Sequence, residues 1–147
     1  MEFKKTTDTS SPIYKDALKI RKKVFIEEQS VDEALEIDEL ENKTTHLVGY
    51  SENSPCCTAR LYLKDPAHLK IQRVAVLKDY RNKGIGKALL EEIESVAQHS
   101  FAARYLVLDS QDHAISFYEK SGYEASGEGF LDAGIPHHHM QKEIAAR

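Results

Sequence analysis

With 147 residues, the chain is long enough for one ordinary domain with its own hydrophobic core. Its formal net charge of −4 argues against a nucleic-acid binder, which would carry a basic stripe, and no apolar run approaches the roughly 18 residues of a membrane span. Met1 to Lys5 are not followed by the apolar core of a signal peptide, and the adjacent Cys56 and Cys57 disfavour a disulfide between them. We therefore expect a single domain over residues 1–147 in a reducing cytoplasm, binding neither nucleic acid nor membrane.

The first third of the chain predicts an edge strand, a helix and an acidic segment. Glu2 to Thr6 has the length of a short strand, and Ser11-Pro12 has the residue types preferred at a helix N-cap and first turn. The helix that follows has one apolar face, formed by Ile13, Ala17, Ile20 and Val24. Phe25 to Asn42 is the most acidic part of the chain, and its carboxylates either attract a cationic amine or belong to a charged surface loop.

The middle of the chain predicts a hairpin that leads into a central strand. Thr45 to Tyr50 and Cys56 to Leu63 are two strand-like runs, and the turn cluster Ser51 to Pro55 separates them. The next strand-like run, Ile71 to Leu77, is followed by a charged turn and then by a helix. We expect this last strand to lie at the centre of the sheet.

The stretch from Lys70 to Val96 predicts a strand, a glycine turn and a helix start, which together form a place for an anion. The first N–H groups of a helix have no partner within it, and the helix dipole puts partial positive charge there. Gly84 and Gly86 have no Cβ, so a phosphate can come close to the backbone. The pattern lacks the third glycine of a dinucleotide fingerprint and the GK[ST] of a Walker loop.

The last third predicts a helix from Gly86 to His99, a buried strand, a short helix and a terminal hairpin. The run Tyr105 to Leu108 is apolar throughout, as in an interior strand covered on both faces. Gly122 stands where a left-handed helix terminator belongs. We expect residues 123–144 to form a hairpin with a wide connection over residues 127–136.

Two motifs carry a resemblance to a known family. Arg81-x-x-Gly84-x-Gly86, directly between a strand and a helix, resembles the acyl-CoA pyrophosphate loop of the GNAT family of N-acetyltransferases. The block AISFYEKSGY, residues 114–123, is similar to the AxxFYEKxGF segment of the same family. Residues 21–31 and 127–140 are similar to the RxxVFVxEQxV and GexFxExGIPHxxM segments of its ElaA/YjcF-like subgroup. The resemblance covers nearly the whole chain.

The resemblance implies a mixed α/β (α+β) acyl-CoA N-acyltransferase fold. Its sheet is twisted and largely antiparallel, has about six or seven strands and is flanked by helices. One parallel pair, the strands that hold Val74 and Leu106, splays apart at the centre. Unpaired buried backbone groups are costly, so the amides of a pantetheine arm can satisfy them in the gap. The implied cosubstrate is acetyl-CoA.

The resemblance also assigns roles in cofactor binding. Backbone groups of Val74, Ala75 and Val76 are expected to hold pantetheine and to polarise the thioester carbonyl. The diphosphate is expected to lie against Arg81, Asn82, Lys83, Gly84, Ile85, Gly86 and Lys87. Gln111 fits the polar residue that contacts pantetheine after the parallel strand, whereas Asp109 and Ser110 depart from the subgroup pattern.

The implied reaction is acetyl transfer to a primary amine of a small molecule or peptide, by direct attack on the thioester. Tyr118 matches a family tyrosine that often lies near the thioester sulfur, where its hydroxyl could protonate the leaving thiolate. The alternative for Tyr118 is a core tyrosine on an amphipathic helix. Three residues stay open as the general base, and each could instead be structural: Glu28, His46 and His137.

Other interpretations remain open at the level of sequence. The run His137-His138-His139 suggests a metal, but only two of the three share a strand face and structural zinc usually has four ligands, so we expect no metal. The alternative function is a non-catalytic acyl-CoA-binding or sensor module. A weaker alternative is another nucleotide enzyme that uses Gly84 and Gly86 for phosphate. The family also suggests a possible homodimer.

Overall fold

A seven-stranded mixed sheet forms the centre of the computed structural model, which describes residues 1–144. Across the sheet the order is β1-β2-β3-β4-β5-β7-β6, and only β4 and β5 run parallel among these neighbours. The strands are β1 Glu2–Thr6, β2 Thr45–Ser51, β3 Ser54–Asp65, β4 His68–Val76, β5 Tyr105–Gln111, β6 Glu124–Asp132 and β7 Ile135–Glu143. The predicted fold class is confirmed. Residues 145–147 of the predicted domain lie outside the described part of the chain.

The helices lie on both faces of the sheet. They are α1 Pro12–Arg21, α2 Glu33–Glu36, α3 Ile85–Val96 and α4 Ile115–Glu119. Two of them continue as π-helical turns, Lys22–Glu28 after α1 and Ala97–Phe101 after α3. Short 3₁₀ turns cover Glu41–Lys43, Lys78–Tyr80 and Asp112–Ala114.

Helix α1 begins as the sequence predicts. The Ser11 hydroxyl accepts a hydrogen bond from the Tyr14 N–H at 3.2 Å, and Pro12 occupies the first turn, where its missing N–H costs nothing. The predicted apolar face is the buried one, since Ala17, Ile20 and Val24 pack on Val48 of β2. We call this side of the sheet the α1 face.

The opposite side of the sheet, the α3 face, carries the larger core. Leu89 and Ile93 of α3 are fully buried against strand residues such as Leu106, Leu108 and Met140. Burying one side chain of this kind stabilises the fold by about 1.5–3 kcal/mol relative to leaving it exposed. The even-numbered Leu106, Leu108 and Met140 thus face α3, and side chains alternate along a strand. The neighbouring odd-numbered residues of β5 and β7 therefore face the α1 side.

The terminal hairpin differs from the predicted one. The expected wide connection over residues 127–136 is wrong, because β6 extends to Asp132 and only Ala133 and Gly134 link it to β7. Both linking residues have positive φ, 51° and 76°, as two-residue hairpin turns of type I′ require. The glycines taken for a loop lie instead at a register irregularity inside the strand, between Ser126 and Phe130.

Candidate active site

The parallel pair at the centre of the sheet opens into a wedge-shaped gap. The pairing joins only His68–Ile71 to Tyr105–Leu108. Beyond it β4 continues to Val76 and β5 to Gln111, and their outer edges stay paired with β3 and β7. The inner edges of residues 72–76 and 109–111 therefore face a gap, which we call the wedge. A ligand that carries amides of its own can satisfy the backbone groups on these edges.

A β-bulge shapes the β4 side of the wedge. Arg73 has φ of +54°, and the register between β3 and β4 shifts between Thr58 and Arg60. Gln72 and Arg73 consequently both contact groups on the α1 face: the Gln72 Oε1 accepts from the Arg60 Nε at 3.0 Å, and the Arg73 Nε donates to the Glu36 carbonyl at 3.1 Å. A non-glycine residue in this conformation costs on the order of 1–3 kcal/mol, which these contacts must offset.

The predicted diphosphate loop, residues 81–87, follows the β4 side of the wedge and ends in the first turn of α3. Gly84 is the N-cap residue with φ of +79°, and no side chain caps the helix. Asn82 also has positive φ, 62°, so the loop turns tightly before the helix. The first N–H groups of α3 therefore point out of an uncapped helix start, as an anion site requires.

The close packing of Phe117 requires a glycine at position 86, which the sequence did not reveal. A Cβ built at this position would lie 2.9 Å from the Phe117 Cζ, whereas one at Gly84 would meet nothing within 4 Å. Gly84 is thus required by its backbone conformation and Gly86 by the close approach of the Phe117 ring from α4. Gly86 therefore allows α3 and α4 to pack closely, in addition to the room for a ligand that the sequence predicts.

Arg81 is held by two partners at the start of this loop. Its Nε donates to the Val76 carbonyl at 2.9 Å, and its two terminal nitrogens donate to the Glu28 carboxylate at 2.9 Å each. Both side chains of this ion pair are about a third exposed. The predicted general-base candidate Glu28 and the predicted diphosphate residue Arg81 therefore lie side by side.

The next residue along, Gln29, contacts the other side of the wedge. The Gln111 Nε2 donates to the Gln29 Oε1 at 2.8 Å, and His113 lies beside the same amide, with its Nε2 2.6 Å from the Gln111 Oε1. The dipeptide Glu28-Gln29 thus reaches the β4 side through Arg81 and the β5 side through Gln111. We call this pair of contacts the brace.

Tyr118 is buried on the α3 face. Its ring meets those of Phe117 and Tyr123 edge to face, with centroids 5.0 and 5.7 Å away. Burial raises the pKa of its hydroxyl above the ordinary value of 10.0, so the group keeps its proton at physiological pH. No hydrogen bond among residues 1–144 uses that hydroxyl. Its role as the proton donor stays a prediction.

The other two base candidates are hydrogen-bonded in the protein. The Nε2 of His46 lies 2.8 Å from the Glu41 carbonyl, the ring is buried, and burial lowers its pKa. The Nδ1 of His137 lies 2.6 Å from the Ile135 carbonyl, and Phe130 stacks on its ring. For His46, burial and this hydrogen bond favour a structural role, the alternative to its role as the general base. Glu28 and His137 stay predictions as bases.

A buried charge network, which sequence reasoning missed, fixes the acidic segment onto the α1 face. Arg21 donates to the carboxylates of Glu36 and Glu41 at 2.7–3.0 Å. Arg60 donates to Asp38 and Glu41, at 2.8 and 2.7 Å. These carboxylates are therefore paired with arginines, which favours the structural interpretation of this part of the acidic segment. The sequence offered one sign of this network, Arg21 at the start of the RxxVF motif. Its partners could not be identified, because they lie 15 and 20 residues further along the chain.

A second polar group lies on the α1 face where the wedge begins. Asp109 is the first residue of β5 beyond the parallel pairing, and its Oδ1 lies 3.2 Å from the His139 Nδ1. Its Oδ2 lies 3.3 Å from the Lys70 Nζ. Sequence reasoning treated Asp109 only as a departure from the subgroup. Finding its partner requires the β5–β7 register, which places Asp109 opposite His139.

Between residues 1 and 144, no three histidine, cysteine or carboxylate side chains converge in a way that could hold a metal ion. No helix in the same range is long and apolar enough to cross a membrane.

Comparisons with known proteins match most of the chain. A family model described as an acetyltransferase (GNAT) domain matches residues 9–144. YjcF of Bacillus subtilis, described as an uncharacterized N-acetyltransferase, is 41% identical over 130 residues, covering 88% of this chain and 91% of that protein. Protein ElaA of Escherichia coli is 26% identical over 130 residues, covering 86% of this chain and 85% of that protein.

Solved structures share the fold. The crystal structure of ElaA has a TM-score of 0.83 at 23% identity and covers 97% of this chain and 99% of that one. A GNAT family acetyltransferase from Elizabethkingia anophelis, crystallised with acetyl-CoA bound, has a TM-score of 0.73 at 19% identity and covers 97% of both chains.

Proposed function

Because the chain belongs to the GNAT family of acetyltransferases, we propose that it transfers the acetyl group of acetyl-CoA to a primary amine of a small molecule or peptide. The resemblance to the family and to its ElaA/YjcF-like subgroup is confirmed by the matches over most of the chain. The family makes the protein an acyltransferase. The acceptor class and the roles of single residues are part of the proposal.

The observation that carries the proposal is the wedge next to an uncapped helix start. The unpaired edges of residues 72–76 and 109–111 suit the amides of a pantetheine arm, which would lie between β4 and β5. The helix start at Gly84 to Gly86 suits the diphosphate. Arg81, Lys83 and Lys87 add formal positive charge to the same loop. Gln111 lies at the far edge of the wedge, as proposed for a pantetheine contact.

Acetyl-CoA supplies a thioester whose carbonyl carbon a neutral amine can attack. In that step a C–N bond forms, the C–S bond breaks and the thiolate leaves. The chain must hold both reactants in line, which can provide several kcal/mol, and N–H groups of residues 74–76 would stabilise the developing oxyanion. We assign the protonation of the leaving sulfur to Tyr118, whose hydroxyl holds its proton at physiological pH. The second proton of the attacking nitrogen, released as the amide forms, returns to the Tyr118 oxygen.

The test is incubation with acetyl-CoA and a panel of primary amines that includes alkylamines, polyamines, amino sugars and lysine peptides. Release of free thiol, with an acetylated amine identified by mass spectrometry, is the expected result. Calorimetry with CoA and thermal-shift comparison with ATP and NAD run in parallel. Tight binding of acetyl-CoA without thiol release across the panel would indicate the non-catalytic module instead. Stabilisation by ATP or NAD but not by CoA would reject the proposal.

A further inference from the structure

The polar residues on the α1 face at the closed end of the wedge suggest the missing base. Asp109, His139 and Lys70 come from three strands, β5, β7 and β4, and meet where the parallel pairing ends. Their side chains are between 28% and 39% exposed, so a small amine can reach them. No other contact of the His139 ring is found among the described hydrogen bonds. The cluster is therefore accessible, and it borders the wedge in which the thioester is proposed to bind.

The Asp109–His139 contact fixes the histidine tautomer. The Nδ1 lies 3.2 Å from the Asp109 Oδ1, so the neutral ring places its N–H there and leaves the Nε2 lone pair free. This arrangement suits a proton acceptor, since the carboxylate orients the ring and stabilises the imidazolium that forms. Lys70 holds the other oxygen of the same carboxylate at 3.3 Å and fixes its orientation.

We propose that His139 removes the proton from the acceptor ammonium and that Asp109 is its positioning residue, an inference that rests on the proposed acetyl transfer. The ammonium N–H bond breaks, the proton moves to the Nε2, and the neutral amine attacks the thioester carbonyl. The imidazolium later releases the proton to solvent. As the C–S bond breaks, the second proton of the nitrogen replaces the proton that Tyr118 gives to the thiolate, so atoms and charge balance.

The surroundings of His139 contain few other charges. Asp109 faces it from β5 and carries Lys70 of β4 on its other oxygen. On its own strand, His137 shares the face two residues away. The residue opposite it on β6 is the uncharged Ser126. The imidazole is therefore the titratable group best placed to exchange a proton with the acceptor.

The chain offers a matched control one residue away. His138 also pairs with a carboxylate, its Nδ1 2.6 Å from the Asp112 Oδ1, but it lies on the opposite, α3 face of the sheet. Replacing either histidine by glutamine removes one Asp-paired imidazole from an exposed strand position. Only the loss of His139 should affect proton removal.

The experiment measures kcat and kcat/KM of the wild type, His139→Gln, His138→Gln and Asp109→Asn between pH 6 and 10, with the best amine of the panel. We expect His139→Gln to lower kcat about 10²–10³-fold at pH 7. Its rate should rise with pH and approach the wild type as the free amine becomes abundant. We expect Asp109→Asn to cost about tenfold, and His138→Gln to match the wild type.

The outcomes separate this inference from the function on which it rests. Calorimetry with CoA and the melting temperature establish that each variant is folded and binds the cosubstrate. If the wild type acetylates amines and His139→Gln does so equally well, or loses rate by the same factor at every pH, the assignment of His139 is wrong. If the wild type acetylates no amine, the proposed function fails first. Should His139→Gln not fold, the pH profile of Asp109→Asn decides: an unchanged profile overturns the inference.

Discussion

Two buried tyrosines that touch each other allow the role of Tyr118 to be separated from its place in the core. Burial raises the pKa of both hydroxyls, and the Tyr123 hydroxyl is buried without a hydrogen-bond partner among the described residues. Removing that oxygen therefore takes away an unsatisfied polar atom, which is neutral or stabilising. Tyr123→Phe is thus a packing control for Tyr118→Phe.

We predict that Tyr118→Phe lowers kcat about 10–100-fold while changing CoA affinity little, because only the proton donor is lost. Tyr123→Phe should keep both quantities. Steady-state kinetics and calorimetry with CoA measure the difference. Equal kcat for the wild type and Tyr118→Phe would leave the tyrosine as a core residue only.

The second prediction at the residue scale concerns Glu41 and acid stability. Burial alone would raise the pKa of this carboxyl, but hydrogen bonds and the charge of Arg21 outweigh it and lower the pKa from 4.5 to about 2. A pKa that is lower in the folded protein contributes stability above the unfolded value, and this stability is lost as pH falls through the folded value. We therefore expect the free energy of unfolding to fall between pH 4.5 and about 2.

Urea denaturation at a series of pH values measures this dependence. Glu41→Gln cannot titrate, so its stability should depend less steeply on pH in the same window, although it is lower at pH 7 because Arg21 and Arg60 lose a partner. The same slope in both proteins would show that the network contributes little to acid stability.

At the scale of elements, the junction of α3 and α4 tests why the loop contains two glycines. In a helix, alanine is more favourable than glycine by about 1 kcal/mol, but a Cβ at Gly86 would press on the Phe117 ring at 2.9 Å. We predict that Gly86→Ala raises the free energy of unfolding in a Phe117→Leu background. It should not raise it when Phe117 is present. The coupling should be about 0.5–3 kcal/mol.

Gly84→Ala provides the comparison within the same loop. Its cost comes from φ of +79° and open space surrounds it, so Phe117→Leu should leave that cost unchanged. Thermal or urea unfolding of the six proteins measures both couplings. Additive effects at Gly86 would mean that the ring moves aside freely and that the contact does not fix the junction.

The elements also show how far the sequence could be interpreted. The edge strand Glu2–Thr6 and the start of α1 were predicted at their observed positions, because N-cap chemistry and apolar periodicity are local. The terminal hairpin was predicted but its connection was not: glycines at 127 and 129 suggest a loop, and only pairing with β7 shows that they lie within a strand. Local rules specify elements, whereas strand register depends on the partner.

The same distinction applies to the candidate site. The glycine loop and Tyr118 belong to contiguous motifs and could be singled out from the sequence. The Asp109–His139 contact joins residues 30 positions apart, and Arg60 meets Asp38 across 22 positions. Neither pair has a local signature, because strand pairing and the path of the acidic segment bring their members together.

At the scale of the whole molecule, the sheet consists of two halves, β1–β4 and β5–β7, joined by four residue pairs. We predict that amides on the inner edges of residues 72–76 and 109–111 exchange hydrogen rapidly in the free protein. Acetyl-CoA should slow their exchange, because the ligand gives these N–H groups acceptors and excludes water. Hydrogen–deuterium exchange with mass spectrometry measures this.

Strand β2 is the internal control, since β1 and β3 pair with both of its edges. Its protection should not depend on the ligand. Protection spread evenly over the sheet, or none at the inner edges, would argue against binding within the wedge.

The brace has a consequence for the order in which the substrates bind. Glu28 and Gln29 contact opposite sides of the wedge and lie in the acidic segment before Glu36, whose carbonyl accepts from Arg21 and Arg73. A ligand that enters between the strands and engages Arg81 would compete with Glu28 and so alter one of the two contacts of the brace. We therefore expect acetyl-CoA to bind before the amine, an order that product-inhibition kinetics would reveal.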